Sequence, residues 1–260
     1  MVGNILNHLY NGGAVSNVEI AMMAQRAENE YFGKPCGLMD QTACDVGGFI
    51  TIDFGDPDKP EIEALDFDLG AKGYSLCVVN TGGNHADLND DYASVPSEMK
   101  AVAREMGQEV LRGVTFDKII PEIPRIREKC GDRALLRALH FIDENDRVAA
   151  QVEAIRNNDT DGFFAGVNSS GNSSFKYLQN VYTVKNVSEQ GLSLALCLTE
   201  HFLRGKKAAH RVHGGGFAGT IQAFVPNSDT AAYKALMDSV FGKGACHILS
   251  VRPAGAVKLI

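Results

Sequence analysis

Arg211-Val212-His213-Gly214-Gly215-Gly216-Phe217-Ala218-Gly219 is the stretch that decides how the rest of the chain is read. Each glycine gives up more conformational freedom on folding than any other residue. A run of them makes sense where the main chain must turn tightly or approach another group closely. The apolar run Thr220 to Val225 reads as a strand leaving that turn. Two readings follow from these residues alone: a glycine-rich hairpin or close strand–helix contact, and a loop built to approach a ligand. The run precedes a strand, whereas the dinucleotide-binding fingerprint follows a strand and opens a helix, so that fold is disfavoured.

The sequence has 260 residues and a net charge of −7. That length supports one large domain or two small ones with a proper core. The acidic balance argues against a nucleic-acid partner, although a few local donors can still hold a phosphate. No apolar run reaches membrane-span length and no basic-then-apolar leader opens the sequence, so no membrane partner is expected. Cys36, Cys44, Cys77, Cys130, Cys197 and Cys246 are scattered without a CxxC pair. They suit neither a zinc site nor a disulfide framework, and are expected to be mostly buried free thiols in a reducing cytoplasm.

Met1 to Tyr10 has apolar residues at helical spacing but no N-cap before it, and Asn11-Gly12-Gly13 stops it. Ser16 and Glu19 predict a capping box for a helix running to about Tyr31. Gly33, Pro35 and Gly37 force a loop, after which Asp40 opens a short helix. Asp40 is either a first-turn carboxylate favoured by the helix dipole or a carboxylate presented to a pocket. Gly47-Gly48 leads into a strand from Phe49, and Asp56 to Glu63 reads as an exposed connection. Tyr74 to Asn80 reads as a buried strand that enters the turn Thr81 to Leu88, where His85 is expected to be structural. Asp90, Asp91 and Tyr92 open the next helix, with the acidic pair in its first turn. Phe116 to Asn157 is helical in pattern, with the charged residues of Asp132 to Val148 expected to pair along a solvated face. Asn168 to Ser174 should break the helices, as a flexible loop or as a hydroxyl- and amide-rich wall for a polar ligand. A helix from Ser188 to Phe202 should place Leu192, Leu194, Ala195, Leu196 and Leu198 in the core. A helix at Thr230 to Val240 and a strand near His247 complete the chain.

In this order the residues resemble the galactokinases of the GHMP small-molecule kinase family. Cys36-Gly37-Leu38-Met39-Asp40-Gln41, flanked by Ala27-Glu28 and Ile50 to Asp53, is similar to the segment carrying that family's catalytic aspartate. Asn80, His85 and Tyr92 follow at the family's spacing. So do Arg133-Ala134, His140, Glu144 and Arg147-Val148, and the glycine run resembles the third GHMP signature. The first two signatures are absent, one holding the sugar and the other a glycine- and serine-rich loop for the ATP phosphates. The resemblance is therefore to a galactokinase lacking its N-terminal portion. Val95-Pro96-Ser97 stands where the family commonly has two arginines, and Asn168 to Ser174 replaces a Ser-His segment. Val212-His213 replaces Met-Thr, and Ala218 a glycine. These departures resemble a divergent bacterial branch.

The resemblance implies an α+β fold, with residues 1–72 a remnant of the N-terminal catalytic domain and 73–260 the C-terminal domain. It implies a cytoplasmic, ATP-dependent sugar kinase that transfers the γ-phosphoryl group to the anomeric hydroxyl of galactose. A galactose-binding sensor on the same scaffold and a kinase for another sugar are the alternatives. Asp40 would be catalytic, Gly37, Asp40 and Tyr92 would hold the substrate, and Gly214, Gly215 and Gly216 would lie near the sugar and phosphate. ATP and Mg2+ are the implied cofactors, with no metal ligand assigned among these residues. The chain alone is expected to be inactive, and self-association through the surface left by a missing half is the further partner expectation.

Overall fold

In the computed structural model, residues 1–33, 36–56, 59–83 and 88–258 are described. They form two compact units, Met1–Asp68 joined by the C-terminal segment from Val251, and Leu69–Ser250. The architecture is α+β, with helices and antiparallel sheets in separate stretches of the chain.

The first unit contains α1 (Val2–Tyr10), α2 (Asn17–Arg26), α3 (Met39–Val46), β1 (Phe49–Asp53) and β2 (Glu61–Leu65). The capping box forms as its spacing predicts: Glu19 N–H donates to Ser16 Oγ, and Ser16 N–H to the Glu19 carboxylate at 2.9 Å. A π-helical turn over Ala27–Phe32 extends α2 and ends at left-handed Gly33. The expected connection Asp56 to Glu63 is shorter than the sequence suggests. Its last residues, 61–63, already belong to β2, because that strand pairs antiparallel with β1, Asp53 opposite Glu61. The helix α1 buries Asn4 and Asn7 and exposes Val2, Ile5, Leu6 and Leu9. Its polar face is needed inside: Asn4 donates to Asp45 Oδ1 at 2.8 Å and Asn7 to the Val15 carbonyl at 2.8 Å. The C-terminal segment docks on the end of α3. Gly48 N–H reaches the Arg252 carbonyl, Gly255 N–H reaches that of Val46, and a side chain on Gly255 would collide with the Asp45 main chain.

The second unit is built on β3 (Tyr74–Asn80) and a helical lobe of α4 (Asn89–Glu105), α5 (Phe116–Ile119), α6 (Ile123–Cys130) and α7 (Asp132–Arg156). There follow α8 (Thr160–Ser173), α9 (Gly191–Leu203), β4 (Ala209–His213), β5 (Thr220–Pro226), α10 (Thr230–Phe241) and β6 (Cys246–Leu249). The four strands form one antiparallel sheet in the order β4-β5-β3-β6. The two-residue period of a strand sends Ile221, Ala223 and Val225 of β5 to one face, where they meet Leu192 and Ala195 of α9 and Tyr233 and Met237 of α10. Phe224 points the other way, and its ring lies 5.6 Å from those of both Phe163 and Phe164 on α8. Covering both faces explains why β5 is an almost unbroken apolar run. The lobe has its own core, including Val102, Ala103, Ile119, Ile126, Leu135 and Ala138.

Several expectations are corrected. Asn168 to Ser174 does not break the helices: α8 runs through Ser173 and a π-helical turn over Ser174–Leu178 continues it. Its buried hydroxyls have partners on neighbouring elements, which outweighs their local preference for turns. The charges of α7 are not all on a solvated face, since Arg137 is buried between α4 and the π-helical turn. It donates to Ser94 Oγ at 2.8 Å, Glu98 at 2.9 Å and the Leu178 carbonyl at 3.1 Å. Leu194 is exposed while Leu192 and Ala195 face the core. Of the free cysteines, Cys77 and Cys246 are buried, whereas Cys44 and Cys197 are exposed. Pro35 and His85 lie outside the described residues.

Phe224→Ala should remove the ring that joins the sheet to α8. A loss of about 3–5 kcal/mol is expected for truncating a buried phenylalanine, measured as a lower urea midpoint with an unchanged slope.

Candidate functional site

The expected site residues fall in different units, and each group is described within its own. In the first unit, Cys36-Gly37-Leu38 is held against α2 and its π-helical extension. Asn29 Oδ1 accepts from Cys36 N–H at 2.8 Å, and Gln25 and Asn29 donate to the Cys36 carbonyl. Thr42 Oγ1 donates to the Leu38 carbonyl at 2.9 Å, closing the first turn of α3. Leu38 is buried beneath this turn, while Gly37 and Asp40 are exposed. Asp40 stands in the first turn of α3, as its sequence position predicts, where the helix dipole favours a negative charge. Among the described residues its carboxylate has no hydrogen-bond or ion-pair partner. Its neighbour Gln41 keeps a buried Oε1 without a partner and donates through its amide to Cys36 Sγ at 3.4 Å. A cavity of about 740 Å3 in this unit lies between α1, α3 and the C-terminal segment; neither Gly37 nor Asp40 lines it.

In the second unit the structure brings Tyr92 and the glycine run together. The run joins β4 to β5, with His213 opposite Thr220 at the hairpin mouth. Tyr92, in the first turn of α4, donates its hydroxyl to the Gly216 carbonyl at 2.9 Å. Its ring meets Phe217 edge-on at 5.5 Å, and a side chain on Gly215 would press on that ring. Gly214 and Gly216 have φ of 71° and 82°, the left-handed region that glycine enters without steric cost. Gly216 also lies against the Asn180 main chain so closely that any side chain would overlap it. The close approach visible in the structure is therefore to Tyr92 and Asn180.

Asn180 is a residue the sequence reading missed. Its amide donates to the Gly215 carbonyl at 3.2 Å, its own carbonyl accepts from Phe217 N–H, and its buried Oδ1 has no partner. Only its place in Gln179-Asn180, just after a helix, signalled it. Thr183 and Lys185 on the same segment bind Asp91 and Asp90, so the acidic pair also ties α4 to this segment. Burial pushes the Tyr92 phenol above its ordinary value, with the Asp91 charge adding to it, so the hydroxyl stays protonated and able to donate.

Behind the hairpin, β4 is anchored by charge. Arg211 donates to Ser170 Oγ at 2.6 Å and lies 3.7 Å from Glu144. Glu144 also takes Arg147 at 2.7 Å and the Ser170 hydroxyl. His140 Nδ1 lies 2.9 Å from Ser173 Oγ. Burial lowers the His140 pKa, opposed chiefly by Glu144, while Arg147 and Arg211 lower it further and Asp143 opposes them. The hydroxyls of Asn168 to Ser174 are thus spent on α7 and β4. Among the described residues there is no group of three or more His, Cys, Asp or Glu that could hold a metal ion.

This chain has the fold of the GHMP kinases: residues 1–48 match the GHMP kinases N terminal domain, and the related solved structures share its topology. A Lactococcus lactis galactokinase complexed with galactose superposes with a TM-score of 0.76 at 21% identity, over 99% of this chain and 65% of that one. L. major mevalonate kinase in complex with R-mevalonate follows at 0.59 and 18%, over 96% and 63%. Within that class the chain is similar to galactokinases. It is 30% identical to that of Actinobacillus pleuropneumoniae over 221 residues, 82% of this chain and 52% of the relative. It is 29% identical to that of Streptomyces coelicolor over 262 residues, 98% of this chain and 64% of the relative. The resemblance read from the sequence is borne out at this level, and the chain spans about half the length of the first of these relatives. No helix among the described residues is long and apolar enough to cross a membrane.

Two outcomes are expected. Gly216→Ala should lower stability by more than about 1–3 kcal/mol, since it adds backbone strain to a collision with Asn180. Tyr92→Phe should cost only about 1 kcal/mol, the net value of one hydrogen bond; urea melts of both compare them. Stability should also fall as pH drops below about 6.5, where an unfolded histidine takes up a proton. Folded His140 resists protonation until lower pH, so protons favour the unfolded chain and the contribution is lost as pH falls. His210, lowered by burial against the opposing Glu200, acts in the same direction. Urea midpoints at three pH values, with His140→Gln flattening the trend, check this.

Proposed function

We propose that this chain supplies the sugar-side part of a galactokinase-like phosphoryl transfer, with ATP as donor and the anomeric hydroxyl of galactose as acceptor. The observation that carries the reading is the unpartnered Asp40 carboxylate at the head of α3, within a chain similar to galactokinases over 82% of its length. A neutral hydroxyl is a weak nucleophile, and a carboxylate within hydrogen-bond reach can orient it and accept its proton. In this reading Asp40 takes the proton while the sugar oxygen bonds to the γ-phosphorus and the bond to the ADP oxygen breaks. Gly37 offers its main chain to the sugar and Tyr92 its hydroxyl oxygen. Gly214, Gly215 and Gly216 are proposed to lie near the sugar and the moving phosphoryl group. Such a transfer rests mainly on positioning and on positive charge around the phosphoryl group. The sequence contains no glycine- and serine-rich loop of the kind that would cradle ATP phosphates. A polypeptide of these 260 residues alone is therefore proposed to bind sugar without appreciable turnover. Galactose is preferred over other sugars in this reading because the relatives at 29% and 30% identity are galactokinases.

Isothermal calorimetry of D-galactose with the 260-residue chain tests the sugar reading, and a coupled ADP assay tests turnover. Saturable binding that Asp40→Ala weakens about tenfold is expected, the loss of one charge-assisted hydrogen bond, with no appreciable ADP release. Absence of binding, or binding indifferent to Asp40→Ala, contradicts the sugar reading; robust turnover by the chain alone contradicts the assignment of ATP binding elsewhere.

A further inference from the structure

The second unit contains a cavity of about 620 Å3 between α8 with its π-helical extension and α9, over the edge strand β4. That volume is within the range of small-molecule sites. No residue expected from the sequence to bind sugar or phosphate lines it. The exposed Asn172 lines it, whereas Asn168, also on the lining, spends its amide on the Ala208 carbonyl and the His210 N–H, so only part of the polar wall read from the sequence is available, and it is carried on a helix.

Its chemistry is uneven. Ser193, on α9, lines the cavity with a buried hydroxyl that has no hydrogen-bond partner. Buried polar groups in folded chains are nearly always paired, so an orphan on a residue of the cavity lining is a candidate partner for a ligand atom. Lys176 and Arg204 also line it, and neither has an ion-pair partner among the described residues. Elsewhere in this unit Lys185, Lys207 and Lys234 are held by aspartates. Two other cations on the lining are already committed, Arg211 to Glu144 and Lys206 to Asp229. The acidic member is Glu200, whose charge acts on His210 beside it. The available charge is thus two cations against one carboxylate. Phe175, Leu196 and Leu203 add apolar surface.

We propose that this cavity binds a small organic anion, a single phosphate or carboxylate group on a compact apolar body. Lys176 and Arg204 take the charged group, Ser193 Oγ donates to one of its oxygens, and the apolar body meets Phe175, Leu196 and Leu203. Charge-assisted hydrogen bonds are the stronger kind, so both cations should matter more than the serine. The proposal is independent of the sugar reading, because it uses none of the same residues.

Cys197 provides the reporter, an exposed thiol on the cavity lining. Its alkylation by iodoacetamide is followed by peptide mass mapping of the full 260-residue chain, with phenyl phosphate, benzoate, inorganic phosphate and benzyl alcohol as probes. Phenyl phosphate or benzoate should slow alkylation of Cys197 severalfold at saturation, and the better of the two identifies the anionic group. Lys176→Ala with Arg204→Ala should raise the half-protecting concentration at least about tenfold, and Ser193→Ala about threefold. Both cations are exposed, so the double variant should fold, which circular dichroism verifies. No protection by either anion overturns the proposal, as does protection that survives the double substitution. Equal protection by benzyl alcohol overturns the anionic preference, and equal protection by inorganic phosphate overturns the organic one.

Discussion

Gly216 has φ of 82° and rests on the main chain of Asn180, with its own carbonyl taking the Tyr92 hydroxyl. Three segments distant in sequence are fixed by that contact: the start of α4, the stretch after the π-helical turn, and the β4–β5 hairpin. None could close with a side chain at position 216. The surrounding bonds act in the same sense. Phe217 N–H and the Asn180 amide join hairpin to segment, and Thr183 with Lys185 joins the segment to α4. Thr81, at the end of β3, donates through both its N–H and its hydroxyl to the Gly219 carbonyl, so the central strand of the sheet also reaches the hairpin. The hairpin tip is therefore a preformed surface, which lowers the ordering cost that a ligand would otherwise meet.

The charged layer behind it sets where that surface stands. Arg211 leaves β4 two residues before the first mouth residue of the hairpin has passed and enters a cluster with Glu144, Arg147 and Ser170. Such a cluster is weak evidence for stability, because removing charges from water is costly. Its contacts tie α7, α8 and β4 to one another through Glu144, Ser170 and Arg211. Gly171 serves the same packing, since a side chain there would press on the main chain of His210 and the Arg211 side chain. Arg137 does for α4 and α7 what Arg211 does for β4, joining Ser94, Glu98 and the Leu178 carbonyl in one buried contact.

What could be read from the sequence was what local physics decides. Tyr74 to Asn80 is a strand because its apolar run is too short for a buried helix, and Ser16 with Glu19 starts α2 because their spacing permits reciprocal bonds. The glycine run was legible as a tight turn, and Asp40 as a first-turn carboxylate. What failed depended on partners far along the chain. Ser170 and Ser173 look like helix breakers until Glu144 and His140 supply their hydrogen bonds. The burial of Asn4 and Asn7 on α1 follows only once Asp45 and the Val15 carbonyl are placed beneath them. Asn180 carries little local pattern beyond its place after a helix, since its role exists only once Gly216 has been brought against it.

We propose that the preformed Tyr92–Gly216 surface contacts the sugar. Titration of D-galactose into isotopically labelled chain, observing the Tyr92 ring and the amides of Gly214, Gly215 and Gly216 by NMR, tests it most directly. Saturable shifts are expected at these four residues with a common dissociation constant, while amides of the α5–α6 lobe stay unmoved. Saturable galactose binding that leaves Tyr92 and the glycine amides unchanged would contradict it.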